Sequence, residues 1–264
     1  CATMSLVRSM FVAPPGQTLY ALDFKGIEAC LVGYFAKSER YQRLCRLDIH
    51  SFFTAYTLYE IDHLLTAVDL PNESWGDVQL NTYLQSLQQR YPDHRRTNKP
   101  LVHGGNYRMG PYEAQEVLLK ETHQVVPLKL IKKIQAFYWE LFPEILHWHR
   151  RVTGMAELAE PTEQEHAHQR GWLRSPFGNI HRYYDVLRWE KGPTGWDLAY
   201  STDAKRAIAF LPQSCARFIL TRAAQRLPWD VQETLRLFLH DELLGLCTMG
   251  QLERCIQACK REME

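Results

Sequence analysis

Four residues spaced four apart, Arg95, Lys99, His103 and Tyr107, constrain this chain more than anything else in it. A step of four advances about 400° around a helix and roughly 6 Å along its axis, so a helix gathers them into one slanted stripe. Guanidinium and ammonium suit phosphates; imidazole and phenol offer flat rings. A nucleoside triphosphate lying along that stripe would meet charge at its phosphates and a stacking surface at its base. Local propensity works against the helix, because Pro100 lacks an N–H and Gly104-Gly105 weaken it. By itself the stretch reads as a basic surface loop.

Composition sets outer bounds only. With 264 residues, 45% hydrophobic and 23% charged, the chain can build one large domain or two lobes. The formal net charge of +1 lacks the basic excess common in nucleic-acid enzymes, although Arg95-Arg96 and Lys132-Lys133 are candidates for lining a positive groove. There is no run of about 18 apolar residues, so no membrane span is expected, and no secretory signal is visible. Seven cysteines without a C-x-x-C pair suit a reducing compartment. Cys255 and Cys259, His147 and His149, and His166 and His168 do not complete four zinc ligands at familiar spacing, so packing and solvated loop are expected for them.

Periodicity predicts a mixed α+β chain. Phe11–Val12 and Gln17–Asp23 read as strands broken by Ala-Pro-Pro-Gly, with Leu19, Ala21 and Asp23 on one side of the pleat. Helices are predicted over Ile27–Phe35, over Asp77–Arg90 with Leu80, Tyr83, Leu84 and Leu87 as its apolar stripe, and from Pro111. Leu128 to Leu141 continues the helical period and Pro143 restarts it through Val152. Residues 159–169 read as loop, and Ser175 to Asn179 as a turn between short strands. Ser201 or Thr202 caps a helix to about Leu227 that Pro212 should kink. Leu235–Leu239 and Leu243–Cys247 alternate as antiparallel strands with His240-Asp241-Glu242 at the bend, and a last helix starts near Gln251.

Read together, several segments carry a family pattern. R-x-x-x-K-x-x-x-H-G-x-x-Y at 95–107 resembles the motif B helix of family-A DNA polymerases, the DNA polymerase I family. A-L-D-F-K-G-I-E at 21–28 resembles motif A, and L-H-D-E-L at 239–243 resembles motif C. D-I-H at 48–50, G-W-L-R-S-P-F-G at 171–178 and the helix carrying Gln213 resemble further family segments in the same order, from about Arg8 onward.

The resemblance implies a right-hand polymerase fold: an antiparallel-sheet palm from residues 1–47 and 170–264, and helical fingers over 48–169 with the motif B helix at about 95–108. Asp23 and Asp241, with Glu242 less certain in its role, would be the ligands of two Mg²⁺ or Mn²⁺ ions. Arg95, Lys99 and His50 would bind the incoming triphosphate, His103 would stack on its base, and Lys99 would protonate the leaving pyrophosphate. Glu28 and Tyr107 would close over the sugar's 2′ position and so select deoxynucleotides. Gln213, His240 and Arg206 would touch the DNA primer–template.

The chain departs from the family pattern at Lys25, Gly26, Cys30, His103, Arg108, Ala209 and Phe238, which marks a divergent, phage-like member. Residues 61–94 exceed what the compact form of the family needs. The activity implied is primer extension with dNTPs in the cytoplasm, at the nucleoid or in a phage-infected cell. The competing classes are an inactive polymerase-like DNA-binding subunit and a metal-dependent nuclease. Only about twenty residues precede Asp23, too few for a helical thumb. The thumb is therefore expected in a longer chain or a separate subunit, and no exonuclease domain is expected within these residues.

Overall fold

A computed structural model describes residues 10–154, 171–192, 195–239 and 241–263. Strand β1 (Gln17–Asp23) pairs antiparallel with β7 (Glu242–Thr248), which pairs in turn with β6 (Leu235–Leu239). Strand register sets Asp23 opposite Glu242 at one end and Tyr20 opposite Gly245 in the middle. Tyr20 turns inward and is bonded to Thr234 at 2.6 Å; its ring fills the space a Cβ at 245 would need, so glycine is required there. On the other pleat face Ala21 and Asp23 are exposed, as the alternation predicts.

Helices α1 (Ile27–Phe35), α2 (Glu39–Leu47), α3 (Ile49–Glu60), α4 (Asp77–Arg90), α5 (Pro92–Asn106), α6 (Pro111–Thr122), α7 (Leu128–Leu141) and α8 (Pro143–Thr153) follow. They share one apolar core that includes Tyr41, Phe52, Phe53, Leu80, Leu101, Tyr138 and Trp148. Two short hairpins come next, β2 (Trp172–Arg174) with β3 (Ile180–Arg182), and β4 (Leu187–Gly192) with β5 (Gly195–Tyr200). Helix α9 (Thr202–Arg226) runs unbroken past buried Pro212 and ties the cores together. Its Ala207, Ile208 and Leu211 enter the helical core, while Leu220 and Ala224 pack with Tyr20, Leu243 and Cys259 beneath the sheet. Helices α10 (Trp229–Gln232) and α11 (Leu252–Met263) complete the sheet side. Buried Cys255 and Cys259 are packing residues on α11, and His149 and Trp148 are packing residues on α8.

Several expectations need correction. Phe11–Val12 forms no strand; it is exposed irregular chain ahead of a turn closed by Gln17 N–H donating to the Pro14 carbonyl at 3.0 Å. The motif B helix begins at Pro92 and ends at Asn106, so Tyr107 is its cap and Arg108 lies beyond it at φ 58°. It is helical because tertiary packing overrides propensity. Leu101, Val102 and Asn106 are buried, and the Tyr138 ring sits where a Cβ on Gly105 would be 2.6 Å away. Helices α2 and α3 and the β4–β5 hairpin have no counterpart in the sequence reading. Helix α3 buries Ile49, Phe52, Phe53, Ala55 and Leu58 around most of its circumference, which erases the one-sided period. Residues 159–169, including His166 and His168, lie outside the described residues. Among the described residues, no helix is long and apolar enough to cross a membrane.

Candidate active site

The end of β1, the β6–β7 bend, the α2–α3 junction and one face of α5 surround a cleft of about 410 Å³. Asp23, Glu28, Asp48, His50, Arg95, Lys99, His103, Asn106 and Asp241 all line it. Two residues separated by most of the chain meet because the motif C hairpin is the neighbour of β1: the Phe24 N–H donates to the Asp241 carbonyl at 3.1 Å. Burial, then the adjacent Asp241 carboxylate, push the Asp23 carboxyl up to about 6, while Lys99 pulls it down. Carboxylates set side by side repel one another, and a divalent cation relieves that repulsion.

Across the cleft, Arg95 is already engaged. Its Nε donates to Asp48 Oδ2 at 3.1 Å and to Ser51 Oγ at 3.0 Å, and its Nη2 to Asp48 Oδ1 at 3.2 Å. Nη1 has no partner among the described residues. Asp48 does double duty, since Oδ1 also accepts from the His50 and Ser51 N–H groups and caps α3. Burial raises the Asp48 pKa, but the hydrogen bonds from Arg95 and Ser51 outweigh it and hold the carboxyl below its ordinary value. His50 behind them is lowered to about 4, first by burial and then by Arg95, Lys99 and His103, against the pull of Asp48. It is neutral near pH 7, and its Nδ1 is buried without a partner.

Lys99 and His103 are exposed on the cleft side of α5, and the His103 and Tyr107 rings meet edge to face at 5.3 Å. The Tyr107 hydroxyl donates to Glu28 Oε2 at 2.6 Å. Burial and this carboxylate raise the phenol's pKa far above its usual value, so it stays a donor.

A search of solved structures finds the POL domain of Pol1 from M. smegmatis, in complex with DNA primer-template and dNTP, with a TM-score of 0.62 and 18% identity over 97% of this chain. The fold is polymerase-like. The chain spans 38% of the length of that protein's chain. No protein-family model matches it, and no curated protein does.

Within this polymerase-like fold the cleft gathers Asp23, Asp241, Lys99, Arg95, His103, His50 and Glu28, with Tyr107 bonded to Glu28. Glu242 is one residue from Asp241, facing Asp23 across the ladder. Gln213 and Arg206 do not line the cleft: Gln213 is exposed on α9, and Arg206 pairs with Asp203 at 3.1 Å. His240 lies outside the described residues. Lys132 and Lys133 are exposed on α7 and do not line the cleft, and of Arg95-Arg96 only Arg95 does, since Arg96 pairs with Asp93. Among the described residues, no three His, Cys, Asp or Glu side chains form a metal cage.

Several cleft residues escaped the sequence reading. Asp48 was readable as a helix cap, an aspartate directly before an apolar run, but its grip on Arg95 was not. Lys25 lines the cleft and caps α2, donating to the Arg46 and Leu47 carbonyls at 3.2 and 2.8 Å. Asn81, Gln85 and Gln88 bring amides from α4 to the cleft wall. That helix belongs to the long 61–94 segment, which is pinned to α2 by a two-pronged ion pair of Arg40 with Glu73 at 2.7 and 2.9 Å.

Proposed function

We infer that this chain is the catalytic part of a family-A DNA polymerase, a nucleotidyltransferase that extends a primer 3′-OH with dNTPs on a DNA template. Residues 1–47 and 170–264 are its palm and 48–169 its fingers. One observation carries the reading: paired carboxylates from β1 and the β6–β7 bend face a cationic helix stripe across a single cleft. A nuclease reading accounts for the carboxylates but leaves the stripe and the Glu28–Tyr107 pair without a task.

Asp23 and Asp241, flanked by Glu242, fit divalent cations with hard oxygen donors; with only two protein carboxylates at the core, the remaining ligands would be water and substrate phosphate, as Mg²⁺ prefers. Bound there, Mg²⁺ supplies charge neutralisation at the attacking and leaving oxygens of phosphoryl transfer. The chain's own groups do the rest. Lys99 and the free Nη1 of Arg95 bind the β- and γ-phosphates, with Asp48 and Ser51 fixing the guanidinium so that little ordering entropy is lost on binding. As the primer 3′-OH gives its proton to solvent water and its oxygen bonds to the α-phosphorus, the bond to pyrophosphate breaks and Lys99 gives a proton to the departing oxygen. His50 contacts phosphate as a neutral donor. His103 stacks on the base, and the Glu28–Tyr107 pair fills the space a 2′-hydroxyl would need. Gln213, His240 and Arg206 position the duplex.

The test is templated primer extension by the wild type, Asp23→Ala and Asp241→Ala. Each substitution should lower single-turnover incorporation by roughly a thousandfold or more while DNA binding persists. Near-normal incorporation by either variant would sink the assignment.

A further inference from the structure

Among the described residues Arg108 is a cation without an acid. The residue follows Tyr107 at the carboxyl end of α5, where the resembling motif has glycine, and it holds a left-handed φ of 58° that glycine would adopt without strain. Its guanidinium lies over the Tyr200 ring, 3.9 Å from the centroid. Among the described residues no carboxylate pairs with it, although a largely buried arginine ordinarily finds one. A second cation stands beside it. His149 of α8 donates through Nε2 to the Asn106 carbonyl at 2.8 Å, which seats α8 at the end of α5, and the charge of the next residue, Arg150, reaches Arg108. Burial and this neighbouring charge both lower the Arg108 pKa. The carbonyl end of α5 and the Tyr200 face offset part of the cost; an anion would offset the rest.

Which anion follows from position, and this step rests on the polymerase reading. Along α5 the stripe runs from the phosphate-binding end at Arg95 to the base and sugar end at Tyr107. The strand passing beyond an incoming base is the one that base pairs with, the template. We propose that Arg108, stacked on Tyr200 and flanked by Arg150, seats a backbone phosphate of the single-stranded template where it enters the cleft. Arg108 is then a positioning residue, fixing the template nucleotide opposite the incoming base.

The experiment measures DNA affinity by fluorescence anisotropy across a salt series. One duplex carries a 5′ template overhang and a matched one is blunt. Wild type should show the steeper salt dependence on the overhang substrate. Arg108→Gly should lower that slope by about 0.7, the share of one single-strand phosphate contact, with no change on the blunt duplex. Arg108→Lys keeps the point charge and should restore the slope. Equal slopes for wild type and Arg108→Gly on the overhang substrate would overturn the assignment, as would an equal loss on both duplexes. If Arg108→Gly melts well below wild type and a stably folded Arg108→Lys fails to restore the slope, Arg108 serves to hold α5 on Tyr200, which also overturns it. Wild type that binds neither duplex would instead refute the polymerase reading on which the assignment stands.

Discussion

Replacing Asn106 tests how α5 is held against the helical core. Its Oδ1 accepts from the Tyr41 hydroxyl at 2.6 Å and the Tyr138 hydroxyl at 2.9 Å, and the two phenol oxygens are 2.9 Å apart. Tyr41 and Tyr138 are 0% and 1% exposed, so water cannot stand in for a lost partner. Asn106→Leu keeps the branched shape, at a somewhat larger volume, and removes the acceptor. The phenols can then satisfy one O–H between themselves, and the second proton is orphaned. One buried unsatisfied donor costs about 1–3 kcal/mol. For a chain of this size that lowers Tm by roughly 2–4 °C per kcal/mol, so a drop of about 2–12 °C is expected. Thermal denaturation followed by circular dichroism measures it. The companion variant Asn106→Leu/Tyr41→Phe/Tyr138→Phe removes the donors along with the acceptor and should recover much of the loss, because an apolar replacement of both partners is nearly neutral. An unchanged Tm for Asn106→Leu, or a triple variant less stable than the single one, would refute the view that the shared acceptor holds this junction.

Glu28→Ala should raise the ratio of kcat/KM for rNTPs over dNTPs, since the carboxylate bonded to Tyr107 at 2.6 Å no longer fills the 2′ space; an unchanged ratio removes Glu28 from sugar selection. Asp23 binds its proton more tightly folded, at about 6, than unfolded, at 3.8, so the pair costs stability above pH 6 and the cost fades as pH falls through that value. Asp23→Asn should therefore raise the metal-free Tm near neutral pH and abolish the rise in Tm that Mg²⁺ gives the wild type. His149 has the opposite sign. Burial lowers it from 6.5 to about 3, so below pH 6.5 the unfolded chain takes the proton first and stability falls until about pH 3. The slope this residue adds is at most about 1.4 kcal/mol per pH unit, and His149→Gln should flatten the acid limb of a Tm-against-pH curve by comparison with the wild type.

What sequence alone determined here is whatever depends on neighbours along the chain. The alternation of Gln17–Asp23, the apolar stripe of α4, the prolines opening α6 and α8, and the turn at Asp241 are short-range patterns, and each element appears where its pattern lies. The cleft residues became candidates through the resemblance of their motifs, in order along the chain, to family-A DNA polymerases, since each motif alone reads as an ordinary turn, cap or basic loop. Other features answer to distant partners. Helix α5 exists against its own propensity because Tyr138 packs on Gly105 and buried Leu101 and Val102 join the core. Helix α3 is buried on too many sides to show a period, and Arg95 and Asp48 become a pair only when α3 and α5 lie together. Asp23 is pushed up by burial and then by Asp241, which the strand pairing of β1 with β7 brings beside it. Charge and burial act through space, falling off over a few ångströms, and no spacing along a sequence encodes that distance until the chain has folded.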